Sequence, residues 1–135
     1  MRFRDELALV GDSDAIWRRV SDLDAIPTYW PAIRSIGNLR GDGAESTASI
    51  EFVFGGTSES RITVDQADKT FLIFYTTGDL TGTHRATVTH DRITVELDVT
   101  FHGRYRLLSS LESDRFRSET KEALERLVAP ESDSR

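Results

Sequence analysis

The 135-residue chain has no cysteine, which excludes disulfides and thiolate chemistry. It has no apolar run near the roughly 18 residues that a membrane span requires. Its opening, MRFRDELALV, is charged throughout and lacks the apolar centre of a secretory signal. There is no excess of positive charge: the formal net charge is −6 and the arginines are scattered. An acidic balance repels phosphate backbones, so nucleic acid is not an expected partner. These absences point to a cytoplasmic protein without stable membrane insertion. H-E-x-x-H, C-x-x-C and G-x-S-x-G are also missing, which argues against those zinc and serine-nucleophile chemistries. His84 and His90 would lie roughly 20 Å apart on one strand, and His102 falls on the opposite face from His84, so no metal site is expected. The glycine pairs belong to hairpins rather than strand-to-helix turns, which leaves no phosphate cradle.

What is present suits one domain with one core: 38% hydrophobic and 30% charged residues. The domain is expected over residues 1–128, with a flexible tail over 129–135 (APESDSR). Residues 2–10 read as a strand with Phe3, Leu7 and Leu9 on one face. Asp12 or Ser13 can cap a short helix with Ile16, Trp17 and Val20 on its apolar side. Asp22 or Asp24 can cap a second short turn that stops before Pro27. From residue 33 to 102, strands alternate with Gly- and Asp-containing turns, giving six strands near 33–40, 45–54, 58–65, 70–77, 80–89 and 93–102. A helix over about 104–128 carries Tyr105, Ser109, Phe116, Thr120, Ala123 and Leu127 along one stripe.

The strands constrain one another, because residues paired across a sheet with one buried face must share that face. A two-residue turn at Asp91-Arg92 pairs Val88 with Val95, Ala86 with Leu97 and His84 with Val99. A three-residue loop at Gly55-Gly56-Thr57, with glycine in the left-handed region, pairs Phe52 with Ser60 and Ile50 with Ile62. Ile62 then faces Ile73, Ser60 faces Tyr75, and Tyr75 faces Gly82. Two inward rows follow: Phe52, Ser60, Tyr75, Gly82 and Phe101, then Ile50, Ile62, Ile73, His84 and Val99. On the outer face, Leu72 and Phe74 sit beside Arg61, Thr63, Thr83 and Arg85. Either the arginines cover them or a second copy does, and two residues are too few for a standard interface. The expectation is a monomer or weak homodimer.

This order of elements resembles the START-like helix-grip superfamily (SRPBCC), and within it the polyketide cyclase/dehydrase and lipid-transport-like family. The stretch ALVGDSDAIWRRVSDLDAIPTYWPAIRSI is similar to the opening of such domains, and ITVELDVTFHG followed by EALERL is similar to their close. The resemblance implies an α+β fold: a curved seven-stranded antiparallel sheet around a long C-terminal helix, with two short helices between the first and second strands. It also gives DAIPTYWPAIRSI a task. This stretch crosses beneath the sheet, so Trp17, Ile26, Tyr29 and Trp30 pack against sheet and helix while the prolines hold a non-helical path.

Ser60, Tyr75 and His84 fall together on an otherwise apolar wall, with small residues (Ala48, Ser60, Gly82, Ala86) leaving room among them. An apolar pocket with a few convergent polar groups is the usual form of a small-molecule site. The other reading is a filled core in which Tyr75 and His84 satisfy each other through a water. The expected ligand-binding set is Tyr29, Trp30, Phe52, Ser60, Ile62, Ile73, Tyr75, His84, Ala86, Phe101 and Phe116, taking a hydrophobic small molecule such as a lipid, polyketide or quinone, without cofactor or metal. As an enzyme of the cyclase/aromatase type, the protein would use His84 as base and Tyr75 as oxyanion partner. A ligand-free interaction module is the third class. Ser109, Glu112, Ser113 and Phe116 weaken the helix stripe, which fits either a ligand-facing segment or a helix bending away. Asp5 falls on the inner parity of the first strand, where an ion pair with Arg104 or Arg106 is the expected role.

Overall fold

A computed structural model describes residues 1–9, 11–42 and 44–128, without the side chains of 107–113, 116 and 128. The tail over 129–135 and the side chains of Ser109, Glu112, Ser113 and Phe116 lie outside the described residues. Strand β1 (Arg2–Ala8) leads to helix α1 (Ser13–Val20), a 3-10 turn over Leu23–Ala25 and the single turn α2 (Ile26–Tyr29). Then come β2 (Ile33–Gly41), β3 (Glu45–Phe52), β4 (Thr57–Asp65), β5 (Thr70–Gly78), β6 (Leu80–Val88) and β7 (Arg92–Phe101). A 3-10 segment, Gly103–Leu108, precedes the long helix α3 (Ser109–Val128). The strands form one antiparallel sheet in the order β1-β7-β6-β5-β4-β3-β2, so the first strand closes against the last. This is the helix-grip α+β architecture.

Alternation builds the sheet. In β4, Ser58, Ser60, Ile62 and Val64 are buried and the residues between them exposed; β7 repeats the pattern with Ile93, Val95, Leu97, Val99 and Phe101. From α3, Thr120, Ala123, Leu124 and Leu127 are buried, the 3.6-residue stripe of a helix on a core. Asp12 caps α1, its Oδ1 accepting from the Asp14 N–H at 2.9 Å. At the other end of α1, Arg19 donates to the Leu127 and Arg126 carbonyls at 2.7 and 2.9 Å, tying α1 to the last turn of α3.

Three expectations are corrected. The chain does not leave helical geometry at Pro27: α2 runs through it, because proline in the first turn gives up an N–H that has no intrahelical partner. The β6–β7 turn is His90-Asp91, one residue earlier than expected. Thr89 N–H bonds the Arg92 carbonyl at 2.9 Å, and the pairs are Val88–Ile93, Ala86–Val95 and His84–Leu97. Thr89 Oγ1 donates to Asp91 Oδ1 at 3.0 Å, which holds the tighter turn. The β3–β4 loop is Val53-Phe54-Gly55, with Phe52 and Gly56 joined at its neck by a 2.9 Å N–H···O bond. Phe54 decides this loop. Its ring stacks on Phe52 at 5.3 Å and meets Phe101 and Tyr105 edge-on, and Gly55 rather than Gly56 takes the positive φ (+106°). Gly56 is small for a different reason: a Cβ there would lie 2.5 Å from Phe54 Cε2.

Both register errors are even numbers of residues, so every face assignment survives them. The observed inner rows are Ala48–Ser60–Tyr75–Gly82–Val99 and Ser46–Ile62–Ile73–His84–Leu97–Phe3. Phe52 pairs with Ile33 and Phe101 with Leu80 instead.

On the outer face Phe74 is 46% exposed, between Arg61 and Thr83. The expected arginine cover is not what holds there. Arg61 approaches Glu45 (4.0 Å) and Arg85 approaches Glu96 (3.9 Å), while guanidinium groups lie over Tyr105 and Phe3 elsewhere. Phe74→Glu is therefore expected to leave unfolding free energy within about 0.5 kcal/mol of the parent. Both proteins should sediment as monomers at micromolar concentration. A wild-type dimer that the substitution dissociates would show that a second copy covers this face.

Candidate functional site

The site grows from β5 and β6. Their register sets Ile73 opposite His84 and Tyr75 opposite Gly82, so the imidazole and the phenol are diagonal neighbours on the inner face. Tyr75 Oη and His84 Nδ1 are 3.4 Å apart, and both residues are almost wholly buried. Trp30 arrives from the crossing segment and meets the imidazole edge-on at 4.4 Å between ring centroids, and Phe71 does so from the same strand face at 5.7 Å. Phe52 meets Tyr75 at 5.4 Å. His84 is thus a titratable group in an aromatic box.

Burial alone pulls the His84 imidazole down to about 4, and burial alone pushes the Tyr75 phenol above its ordinary value. Both are neutral at physiological pH. Two tautomers serve the 3.4 Å contact. If the phenol donates to Nδ1, Nε2 carries the proton and presents a donor; if Nδ1–H donates to the phenol oxygen, Nε2 presents a lone pair. In either case Nε2 is buried with no hydrogen-bond partner among the described residues. Thr120 Oγ1, on the buried stripe of α3, is in the same state.

Ile62, Ile73, Ala86, Phe52 and Phe101 are buried on the inner face. Ser60 is there too, but its hydroxyl donates to the Ala48 carbonyl at 3.0 Å and is already satisfied. Tyr29 is buried with its hydroxyl donating to the Val20 carbonyl at 3.0 Å, so it braces α1 against α2. Burial, with the Asp22 charge beside it, raises its phenol, and Arg19 opposes this. Trp17 Nε1 donates to Gln66 Oε1 at 2.7 Å, latching α1 to the end of the β4–β5 hairpin. Asp5 accepts from the Glu6 N–H at 2.9 Å.

Two residues escaped the sequence reading. Phe71 shares the parity of Ile73 and Tyr75 and could have been found that way. Thr120 was placed on the buried stripe, but nothing in the sequence marks its hydroxyl as unpaired. No group of three or more metal-ligating side chains comes together among the described residues. Nor is any helix among them long and apolar enough to cross a membrane. A depression of about 490 Å³ on the outer face is bordered by Arg2, Arg4, Glu96 and Asp98, whose charges are already paired at 3.0 and 3.5 Å.

The fold is that of START-like helix-grip proteins. A START superfamily protein from Mycobacterium smegmatis is similar over 93% of this chain and 98% of its own, at 16% identity and a TM-score of 0.62. The Zhui aromatase/cyclase from Streptomyces sp. R1128 covers 96% of each chain, at 15% identity and a TM-score of 0.58. A STAR-related lipid transfer protein from Xanthomonas axonopodis covers 93% of this chain and 85% of its own, at 12% identity and a TM-score of 0.61. The sequence matches no protein-family model and no curated protein. The likeness is one of architecture, and its neighbours include both lipid-transfer and aromatase/cyclase proteins.

Proposed function

We propose that the protein binds a hydrophobic small molecule between the inner face of the sheet and α3, as a carrier, store or sensor. The observation that carries this reading is His84. It is a buried imidazole on an apolar, aromatic wall, with one nitrogen unpaired among the described residues. Leaving such a group unpaired costs about 1–3 kcal/mol, so it calls for a partner inside the fold, and the polar end of a bound ligand would supply one. Trp30, Phe52, Ile62, Ile73, Tyr75, Ala86 and Phe101 supply the apolar contact, with Tyr29, Ser60 and Phe116 completing the expected set.

The Tyr75–His84 contact favours a second reading, a cyclase/aromatase in which His84 removes a proton and Tyr75 steadies the resulting oxyanion. The electrostatics weigh against it. An imidazole held at about 4 is a feeble base at neutral pH, whereas an effective one titrates near the working pH. Binding is therefore the stronger reading.

Native mass spectrometry before and after organic extraction tests it. The purified protein should carry an apolar adduct that extraction removes, and the extracted protein should take up the neutral dye Nile red. Ala86→Trp, which fills the wall between Phe71 and Val95, should abolish uptake in protein that circular dichroism shows to be folded. No adduct together with unchanged dye uptake in that variant would remove the binding reading. Turnover of a poly-β-ketone substrate that disappears in His84→Ala would establish the enzyme instead.

A further inference from the structure

The interior also limits the kind of ligand it can take. The buried polar residues among those described are Ser46, Ser58, Ser60, His84 and Thr120, and none of them is a lysine, arginine or carboxylate. Ser58 bonds the Leu80 carbonyl and Ser46 the Asp42 carbonyl, so the serines, with Ser60 on Ala48, are satisfied by backbone. His84 Nε2 and Thr120 Oγ1 remain. Both face the interior, His84 from β6 and Thr120 from α3, which packs against β1 and β7. Arg117, one turn before Thr120, lies over the Phe3 ring at 5.4 Å, and Phe3 ends the cross-strand row that runs through Leu97 to His84. The stretch Leu107–Ser113 and Phe116 contain no basic residue in the sequence. The arginines that flank them, Arg106, Arg115 and Arg117, are exposed.

Resting on the binding reading above, we propose that the ligand is electrically neutral and amphipathic. It enters polar end first, and its hydroxyl or carbonyl group pairs with His84 Nε2, with Thr120 Oγ1 as the second contact. The physical reason is one of selection by omission. A neutral hydroxyl or carbonyl regains inside the hydrogen bond it loses on leaving water. A carboxylate or phosphate would lose its hydration and meet no cation, and a buried, uncompensated charge is far more costly than a buried dipole. Alcohols, ketones, phenols and quinones are therefore admitted, and fatty acids and phospholipid head groups are refused.

Displacement of Nile red at pH 7.4 by two probes of equal chain length, 1-decanol and decanoate, tests this. Decanol should bind at least about ten-fold more tightly than decanoate, the margin that desolvating an unpaired charge imposes. Equal affinities, or tighter decanoate, would overturn the neutral-ligand inference and leave the binding reading standing. Failure of the dye and both probes to bind would remove the binding reading and this inference with it. In folded His84→Leu, decanol should bind about three-fold or more weakly than to the wild type, since the lost partner is one hydrogen bond. Thr120→Val, which keeps side-chain shape, should weaken decanol by about three-fold and leave decanoate unmoved. Decanol affinity unchanged in both variants would overturn the assignment to these residues, and the wild-type comparison decides the ligand class even if a variant fails to fold.

Discussion

Gly82→Ala is expected to destabilise the protein by about 3 kcal/mol or more, from two sources that add. Gly82 sits in β6 at φ +127°, a conformation in which a side chain is strained by about 1–3 kcal/mol. Its added Cβ would also stand 2.1 Å from the Asp98 carbonyl oxygen and 2.8 Å from Val99 Cα. Both obstacles are backbone of the neighbouring strand, so no rotamer change relieves them. The ladder itself must part, next to the pair that sets Tyr75 beside His84. Against a typical total of about 5–15 kcal/mol, such a loss leaves little margin. Gly37→Ala is the control, because nothing lies within 4 Å of its Cβ position and its φ is ordinary. Urea midpoints measure the contrast. Equal midpoints for the two variants would mean that β6 does not turn at Gly82 as described.

Acidification should destabilise the folded protein through one residue. In the unfolded chain His84 titrates near 6.5, and in the fold burial holds it near 4. Below pH 6.5 the unfolded chain takes up a proton that the folded chain refuses, so stability falls as pH drops from 6.5 to about 4 and this contribution is flat on either side. The full difference corresponds to about 3 kcal/mol. His84→Leu removes the titration and keeps an apolar side chain in the aromatic box. Its unfolding free energy should lose less than the wild type's over that interval, by most of the same amount. The exposed carboxylates of Asp14, Asp42 and Asp91, held low by Lys69, by backbone N–H groups and by Arg92 respectively, stabilise above the usual carboxylate range and weaken below it. They are common to both proteins and cancel in the comparison. Parallel curves for wild type and variant would show that His84 is solvated in the fold.

The sequence made the faces of the strands legible and left their registers ambiguous, for a physical reason. Side chains alternate with a period of two, so burial fixes which residues point inward and is blind to any slip of an even number. The β3–β4 pairing was four residues out and the β6–β7 pairing two, yet Ser60, Tyr75 and His84 were on the correct face. The slip at β3–β4 arose because Gly55-Gly56-Thr57 looks like a turn, whereas the loop is set by where the Phe54 ring finds its aromatic partners, a tertiary fact. The β5–β6 pairing was right, and with it the meeting of Tyr75 and His84. Trp30 was seen to pack inward, but its contact with the imidazole depends on the path of the crossing segment, and no local pattern encodes that path.

The strand order has a kinetic consequence. Among themselves, strands β2 to β7 pair only as sequence neighbours, so five hairpins can form locally one after another. Strand β1 must wait: Arg2 pairs with Asp98 and Phe3 with Leu97, and α3 packs on β1 as well. Closing a loop of that length has to be paid in chain entropy before the contact returns anything. The last barrier to folding is then the docking of the first strand, and refolding on the order of milliseconds to seconds is expected, as in other proteins dominated by distant pairings. On the ribosome, β1 and the crossing helices emerge first and find their partners last. Until β7 and α3 are made, the inner faces of the growing meander and the apolar side of the waiting segment are both exposed, which is the interval in which this chain is most prone to associate with other chains.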